Sequence, residues 1–319
     1  MLGLQNLKIS IKVTETTVEC PAKGCTQIVE RQRESFRREE KFKCPVHLIY
    51  ISPSTFEYNR ETDNLLWKSK VDIALLEEIE EVKREHRFGR DNSEDALTWN
   101  VFRYLEKSGL LSKMLSDFTQ ENQQNSDLIY WSYSQKENQS WSLLNNARKE
   151  FGESIERSSE PDLIAITDKA LFFIEAKFTA SNNTTPSNPK VYKNYLNGGD
   201  NLFTQIFKSN FETIAIKEKK YELLRFWLLG SWIAKNLGLD FYLINIVLSE
   251  QEKDIEERFI SLINIDNHRQ FKRLSWEYIY KYISENVPNN QEKKSLMTYF
   301  QGKTIGYDRF GKLKKAFYI

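Results

Sequence analysis

The sequence predicts a mixed α/β protein in which helices flank a central sheet and a small cysteine-containing module precedes it. Two observations lead to this prediction. Between residues 93 and 248, a helical pattern is followed by strand-like patterns and then by a further helix and strand, as in a sheet covered by helices. All three cysteines of the 319-residue chain lie within its first 44 residues, which sets that segment apart.

The composition is that of an ordinary globular protein. Hydrophobic residues make up 40% and charged residues 29%, and 46 basic residues face 45 acidic ones. These fractions exclude a disordered, collagen-like or disulfide-stapled chain, and so small a net charge gives no indication of nucleic acid by itself. No apolar run reaches the roughly 18 residues of a membrane span, and the first residues lack the pattern of a secretion signal. We therefore expect a cytoplasmic protein that does not enter membranes.

The cysteines and one of the three histidines form two pairs with metal-ligand spacing. Cys20 and Cys25 enclose four residues, including a proline and a glycine that favour a turn, and Cys44 and His47 enclose two. Two such pairs predict a structural zinc site whose four protein ligands leave no open position for chemistry. Free cysteines and a surface histidine placed by chance are the alternative. We expect this zinc-ribbon-like module to cover residues 1–60 and to need its metal for folding.

Hydrophobic periodicity and turn residues predict the remaining elements. The connecting segment of residues 61–91 contains a predicted helix, and Ser93 is a good N-cap for the next one. In chain order we predict a helix over 63–84, a helix over 93–111, a strand over 127–134, a hairpin of strands 162–167 and 170–178, a polar loop over 181–201, a helix over 202–237 with a break at Gly230, a strand over 241–248, and helices over 253–263 and 275–284.

The central hairpin carries the residues that are suited to chemistry. Alternate side chains of a strand share a face, so Glu175 and Lys177 point the same way. Asp162 begins the partner strand and can reach the same edge. Two carboxylates of this kind can hold Mg²⁺ or Mn²⁺, which polarises a phosphate and acidifies a bound water that the lysine orients. An exposed charge pair on the strand is the alternative, although the apolar run before Glu175 indicates burial, where unpaired charges are costly.

A family resemblance follows from the spacing of these residues. Pro161-Asp162, then twelve residues, then Glu175-Ala176-Lys177 resembles the signature of the PD-(D/E)XK nuclease superfamily. The resemblance implies that Asp162, Glu175 and the main-chain carbonyl of Ala176 hold the catalytic Mg²⁺ or Mn²⁺. It also implies that Lys177 positions the attacking water or steadies the charge that develops on the phosphate.

The same resemblance implies a fold and two further site residues. It covers residues 92–248 and implies the restriction-endonuclease-like αβββαβ core, which we expect for a domain of residues 92–319. Glu94, with Asp95 as its rival, fits the acid that members often carry on the helix before the hairpin. Gln205 fits the polar residue of the following helix, although the long intervening loop prevents a direct alignment. The alternatives are a first-turn acid favoured by the helix dipole for Glu94 and a surface residue for Gln205.

By this resemblance we expect a metal-dependent nuclease that hydrolyses phosphodiester bonds. DNA is favoured over RNA as substrate, in an endonuclease of restriction or phage-defence type. Cleavage of both strands of a duplex would favour a homodimer, and the need for an activating ligand or partner protein stays open. The alternative is a non-catalytic scaffold that binds nucleic acid or protein through the zinc module and a nuclease-like fold.

Two local groups of basic residues are candidates for phosphate contact. Arg31, Arg33, Arg37 and Arg38 lie between the two zinc-ligand pairs, where interleaved glutamates dilute their charge. From residue 303 to the end, five basic residues face a single acid, Asp308. A solvated basic tail is the favoured interpretation of that segment, and phosphate contact is the alternative.

Overall fold

The computed structural model describes residues 1–33, 36–83, 85–153, 158–187 and 192–319. The chain forms two compact units, each assembled from separate stretches. The first unit consists of Met1–Lys70, His86–Tyr104 and Glu277–Ile319, and the second of Val71–Glu85 and Leu105–Trp276. The predicted division into residues 1–60, 61–91 and 92–319 does not coincide with these units, because the chain returns to the first unit after residue 276.

Helices and short strands alternate along the described chain. The helices are α1 (Lys70–Val82), α2 (Glu94–Lys107), α3 (Leu110–Thr119), α4 (Ser142–Glu150), α5 (Tyr192–Ile206), α6 (Tyr221–Leu237), α7 (Ile255–Ile260), α8 (Trp276–Asn286) and α9 (Gln291–Gly302). The strands are β1 (Thr17–Glu19), β2 (Ile28–Glu30), β3 (Ile49–Ile51), β4 (Phe56–Tyr58), β5 (Asp127–Tyr130), β6 (Tyr133–Ser134), β7 (Gln139–Ser140), β8 (Leu163–Ile166), β9 (Ala170–Ala176), β10 (Asp240–Val247), β11 (Arg269–Ser275), β12 (Thr304–Tyr307) and β13 (Leu313–Lys315).

A seven-stranded mixed sheet forms the centre of the second unit. Its strand order is β11-β10-β9-β8-β5-β6-β7. The neighbours β5, β8 and β9 run antiparallel, whereas β9, β10 and β11 run parallel. The predicted mixed sheet flanked by helices is therefore confirmed at the level of fold class, and β8 and β9 are the predicted hairpin.

Helix α6 covers one face of strands β9 and β10. Phe173 of β9 and Phe241 of β10 are fully buried there, with ring centroids 5.6 Å apart in an edge-to-face arrangement. Trp227 of α6 packs on Phe241 at 5.5 Å. Because β9 and β10 are parallel and in register, the residues that follow on this face, Glu175 and Asn245, lie side by side.

Several element boundaries differ from the prediction for identifiable reasons. The predicted helix over 202–237 is interrupted, since α5 ends at Ile206, a π-helical turn covers Thr213–Lys217, and α6 starts only at Tyr221. Gly230 lies inside the continuous helix α6 and does not break it. The glycine serves packing instead, since its missing side chain leaves room for the ring of Phe241. Part of the predicted loop is helical, since α5 begins at Tyr192, with a non-helical backbone at residues 198–201.

Other boundaries agree more closely with the prediction. Ser93 caps α2, because its Oγ accepts a hydrogen bond from the amide of Ala96 at 3.0 Å. The predicted connecting helix is shorter than expected and corresponds to α1, while Arg84 of that prediction and residues 188–191 of the predicted loop lie outside the described residues.

The first unit has its own small apolar core, to which both ends of the chain contribute. Val18, Val29, Ile49 and Phe56 come from the four strands β1 to β4, and Tyr307 joins them from β12. The last segment is therefore not a solvated tail throughout. Lys303, at its start, is buried and donates a hydrogen bond to Asn64 Oδ1 at 3.1 Å.

Among the residues that the structure describes, no helix combines the length and the hydropathy of a membrane-spanning segment.

Candidate functional sites

The two ligand pairs of the predicted zinc site lie on two neighbouring turns of the first unit. Cys20 and Cys25 belong to the connection between β1 and β2, where Gly24 adopts the left-handed conformation that glycine tolerates best. Cys44 and His47 belong to the turn before β3, which is closed by a hydrogen bond from the amide of Leu48 to the carbonyl of Cys44 at 2.9 Å. Local turn chemistry thus presents the ligands in pairs.

The four side chains converge with the dimensions of a tetrahedral site. Cys25 Sγ lies 3.8 Å from Cys44 Sγ, and His47 Nδ1 lies 3.7 Å from the sulfurs of both Cys20 and Cys44. A tetrahedron with Zn–S bonds of about 2.3 Å and a Zn–N bond of about 2.0 Å has edges of about 3.8 Å between sulfurs and about 3.5 Å between sulfur and nitrogen. The donor set and its spacing therefore fit a zinc ion.

Burial supports a structural role for this cluster. All three cysteines are buried, and none is part of a disulfide. Burial raises the pKa of the Cys20 thiol, and the neighbouring thiols of Cys44 and Cys25 raise it further. Zinc would hold these sulfurs as thiolates. With four protein ligands the cluster could stabilise the small module, and it offers no open coordination position to a substrate.

The central hairpin brings Asp162, Glu175 and Lys177 together. Leu163 of β8 pairs with Ile174 of β9, so Asp162, one residue before β8, lies across from Glu175 on the same face. Lys177 follows β9, and its ammonium group donates a hydrogen bond to the carboxylate of Glu175. Glu175 is 3% exposed and Lys177 8% exposed. These are the three residues that the sequence singled out.

Two neutral donors hold the carboxylate of Asp162 in place. Oδ2 accepts a hydrogen bond from the amide of Ala176 at 2.8 Å, and Oδ1 accepts one from the indole Nε1 of Trp131 at 3.1 Å. The amide of Trp131 in turn donates to the carbonyl of Asp162 at 3.0 Å. The carboxylate is therefore fixed beside the end of β9 by groups from β9 and from the residue after β5.

A third carboxylate, Glu222, completes the cluster. It lies in the first turn of α6, and its Oε2 is 3.1 Å from Nζ of Lys177. Burial raises the pKa of Glu175 well above its ordinary value, and the charges of Asp162 and Glu222 raise it further, whereas Lys177 lowers it. Burial is therefore the main reason why Glu175 resists ionisation, and Lys177 does not offset the combined effect of burial and the two neighbouring carboxylates.

Buried amides support the strand end from the β10 side. The side-chain amide of Asn245 donates to the carbonyl of Glu175 at 3.3 Å and exchanges hydrogen bonds with Asn182 at 2.9 and 3.1 Å. Asn182 also bonds to the carboxylate of Glu252. These groups fix the main chain at Glu175 and were not found in the sequence, since isolated asparagines carry no spacing signal.

Glu94, with its rival Asp95, and the carbonyl of Ala176 are further predicted members of this cluster. Glu94 is the first residue of α2, in the first unit, whereas the hairpin belongs to the second, so its place at the hairpin stays a prediction. Its rival Asp95 accepts a hydrogen bond from the amide of Arg87 at 2.9 Å. The carbonyl of Ala176, the third expected ligand, likewise stays a prediction.

Gln205 lies at the opposite end of the sheet. It lines a cavity of about 490 Å³ together with Asp240, the first residue of β10, and His268. Asn245, which pairs with Glu175, lies five residues after Asp240 on β10, a distance of about 17 Å. The predicted helix over 202–237 is interrupted after Ile206, and this explains the placement. The helix that starts near the hairpin is α6, which begins at Tyr221, so Glu222 rather than Gln205 lies beside Lys177.

Comparisons with known proteins add no family. No protein-family model, no curated protein and no solved structure matches this chain.

Proposed function

We propose that the protein is a metal-dependent nuclease whose active site is formed by Asp162, Glu175 and Lys177. The observation that carries the proposal is the convergence of the half-buried carboxylate of Asp162, the buried carboxylate of Glu175 and the ammonium group of Lys177 at one end of the central sheet. The raised pKa of Glu175 agrees with it: burial is the main cause and the charges of Asp162 and Glu222 add to it, and a divalent cation would favour the charged carboxylate against both.

Each residue of the cluster has a role in this proposal. Asp162 and Glu175, with the carbonyl of Ala176, would hold Mg²⁺ or Mn²⁺, which when bound polarises a phosphate and acidifies a water. Lys177 orients the water or steadies the charge that develops on the phosphate, since its ammonium group lies within hydrogen-bonding distance of Glu175. Glu222 helps to hold that ammonium group in position, since its Oε2 lies 3.1 Å from Nζ of Lys177.

The order of elements also supports the proposal. A helix (α2), a strand (β5), the β8–β9 hairpin, helices α5 and α6 and the parallel strand β10 follow one another as the αβββαβ core implied by the resemblance requires. The strands β6 and β7 and helix α4 are an insertion between the first strand and the hairpin. By the same resemblance we propose DNA as the substrate, in a restriction or phage-defence type of reaction.

One observation favours a second candidate, a non-catalytic scaffold. Lys177 is engaged by Glu175 and by Glu222, so the cluster also resembles a closed ion-pair network that stabilises the sheet edge. The two candidates differ in what the cluster binds. A nuclease needs Mg²⁺ or Mn²⁺ at Asp162 and Glu175, whereas a scaffold needs only the zinc.

Plasmid cleavage by the zinc-loaded protein tests the proposal. Metal dependence is tested by omitting Mg²⁺ and Mn²⁺, since a chelator would also strip the zinc. We expect nicking or linearisation that falls at least a hundredfold in Lys177→Ala and in Asp162→Asn, which is the scale of losing one transition-state contact. Lys293→Ala is the matched control, because Lys293 is equally buried (7% exposed) but donates to main-chain carbonyls in the first unit.

The outcomes separate the two candidates. Equal cleavage by Lys177→Ala and the wild type would place the activity elsewhere. A folded, zinc-loaded protein that cleaves neither DNA nor RNA and shows no stabilisation by Mn²⁺ would favour the scaffold.

A further inference from the structure

The turn between β12 and β13 exposes an aromatic ring and an arginine. The amide of Gly311 donates to the carbonyl of Asp308 at 2.8 Å, and Gly311 has a φ of +72°, so the turn is a tight one with glycine in the left-handed position. Arg309 and Phe310 are its two central residues. Phe310 is 74% exposed, and the Arg309 guanidinium lies 4.6 Å from the centre of its ring.

The neighbouring strands place lysines beside this turn. Ser10 forms an antiparallel bridge with Lys312, supported by hydrogen bonds of 2.9 Å on both sides. Because side chains alternate, Lys12 and Lys314 lie on the same face as that bridge. The opposite face carries Leu313, which packs on the apolar core of the first unit. The lysines therefore lie on the solvent face.

Few acids offset these charges. Asp308 accepts hydrogen bonds from the amides of Phe310 and Lys312, each at 3.0 Å, and pairs with Lys314 at 3.2 Å. Glu19, the last residue of β1, accepts hydrogen bonds from the side chain of Lys8 and from the amide of Lys12. The acids are thus engaged in shaping the turn and the strand, and the exposed cations outnumber them.

The arginines between the zinc-ligand pairs contrast with this surface. Arg38 pairs with Glu57 at 2.5 Å and with Glu61 at 2.9 Å, and Arg37 lies 3.6 Å from Glu39. The charges of these two arginines are therefore offset within the protein, whereas Arg31 and Arg33 donate to the main-chain carbonyls of Thr14 and Glu15. Of the two basic segments in the sequence, the C-terminal one is better placed to meet a charged ligand.

We propose that the hairpin surface, formed by Lys12, Arg309, Phe310, Lys312 and Lys314, binds an unpaired strand of nucleic acid. Lysine and arginine side chains neutralise phosphates, and an exposed ring stacks on an unpaired base whatever its sequence. An anionic membrane fits less well, because such surfaces need a broad apolar face, and here Leu313 on the opposite face is turned toward the core. The inference rests on the proposed function for the substrate class, but binding is measured without cleavage.

Fluorescence anisotropy tests the inference with the full-length, zinc-loaded protein in the absence of Mg²⁺ and Mn²⁺. The probes are a labelled single-stranded oligonucleotide of thymidines, its uridine counterpart and a duplex, each over a range of salt concentrations. The charge variant combines Lys12→Gln, Arg309→Gln and Lys312→Gln, and Phe310→Ala removes the ring. The matched control combines Lys136→Gln, Lys217→Gln and Lys253→Gln, which removes the same charge from exposed lysines of the second unit.

We expect the wild type to bind either single strand more tightly than the duplex. The charge variant should lower the slope of log K against log salt by about 2, as three lost phosphate contacts on a single strand imply. Phe310→Ala should weaken single-strand binding by about tenfold and leave the slope unchanged. The control should leave both quantities unchanged.

Three outcomes would overturn the inference. They are an equal loss in the control variant, no binding by the folded wild type, and binding to phosphatidylserine vesicles but not to the oligonucleotides. The zinc content and the unfolding midpoint of each variant verify that it is folded. A protein that binds through the hairpin surface but does not cleave plasmid keeps this inference and loses the proposed nuclease activity.

Discussion

Gly230→Ala tests the close packing of α6 on the sheet, which also places Glu222 beside Lys177. A Cβ at position 230 would lie 2.1 Å from both Cε2 and Cζ of Phe241, whereas an ordinary carbon contact is about 3.5–4.0 Å. The ring would have to move by about 1.5 Å. Phe241 is fully buried between Phe173 and Trp227, so neither it nor the helix can move without disturbing other contacts.

The expected free-energy change follows from two opposing contributions. Overpacking of a buried site costs about 1–3 kcal/mol and more when the contact is with a confined ring. Alanine favours the helix by about 1 kcal/mol relative to glycine. Because the ring of Phe241 is confined, the upper end of that cost, about 3 kcal/mol, applies, and less the helix gain of about 1 kcal/mol Gly230→Ala should lower the free energy of unfolding by about 2 kcal/mol.

Urea denaturation followed by far-ultraviolet circular dichroism measures this change. The matched control is Gly302→Ala in α9, where an added Cβ would meet its nearest atom at 3.4 Å, an ordinary contact. In a double-mutant cycle, Phe241→Leu should remove most of the penalty of Gly230→Ala, since the two sites are in contact. A stabilising effect of Gly230→Ala, or additive effects in the cycle, would refute the packing argument.

Four further predictions concern the candidate sites. Cys44→Ser should lose most of the bound zinc, measured by release to a chromogenic chelator, because three ligands hold the ion poorly. In zinc-loaded protein without Mg²⁺ or Mn²⁺, the raised pKa of Glu175 means that stability falls as the pH rises above about 4.5, so urea denaturation at pH 5 and pH 7 should show this fall in the wild type and less of it in Glu175→Gln. Gln205→Ala should leave plasmid cleavage unchanged, since Gln205 lines a cavity with Asp240 at the other end of the sheet. Burial lowers the pKa of Lys303 to about 8, so between pH 8 and 10 the unfolded chain holds this proton while the folded protein releases it. Stability should therefore rise over this range in urea denaturation of the wild type, and the rise should be absent in Lys303→Met.

The strongest signals in the sequence were those that local chemistry determines. The seven-residue strand β9 is apolar and fully buried, and a three-residue turn joins it to β8, so the hairpin and its three charged residues could be placed from the sequence. The four residues of the cysteine–histidine cluster could be placed because metal coordination restricts the spacing of its ligands. In both cases one short stretch of chain contains most of the information.

Features that depend on tertiary packing could not be read in this way. Strands β6 and β7 have two residues each, too few for a periodic pattern. Glu222 looked like a mid-helix residue, because the apolar periodicity of 202–237 hides the interruption before Tyr221. Gly230 resembled a helix break, although it serves the contact with Phe241, a residue of another element. The return of the C-terminal hairpin to the first unit has no local signal at all.

The charge balance at the hairpin is the best physical argument for a cation there. A buried ion pair that only stabilises a fold needs matched charges and hydrogen bonds, and its desolvation cost rises with every additional carboxylate. At Glu175 burial is the main cause of the raised pKa, the charges of Asp162 and Glu222 raise it further, and Lys177 does not offset them. A site that takes up a divalent cation uses the excess negative charge, and its instability without metal is then the cost of binding it.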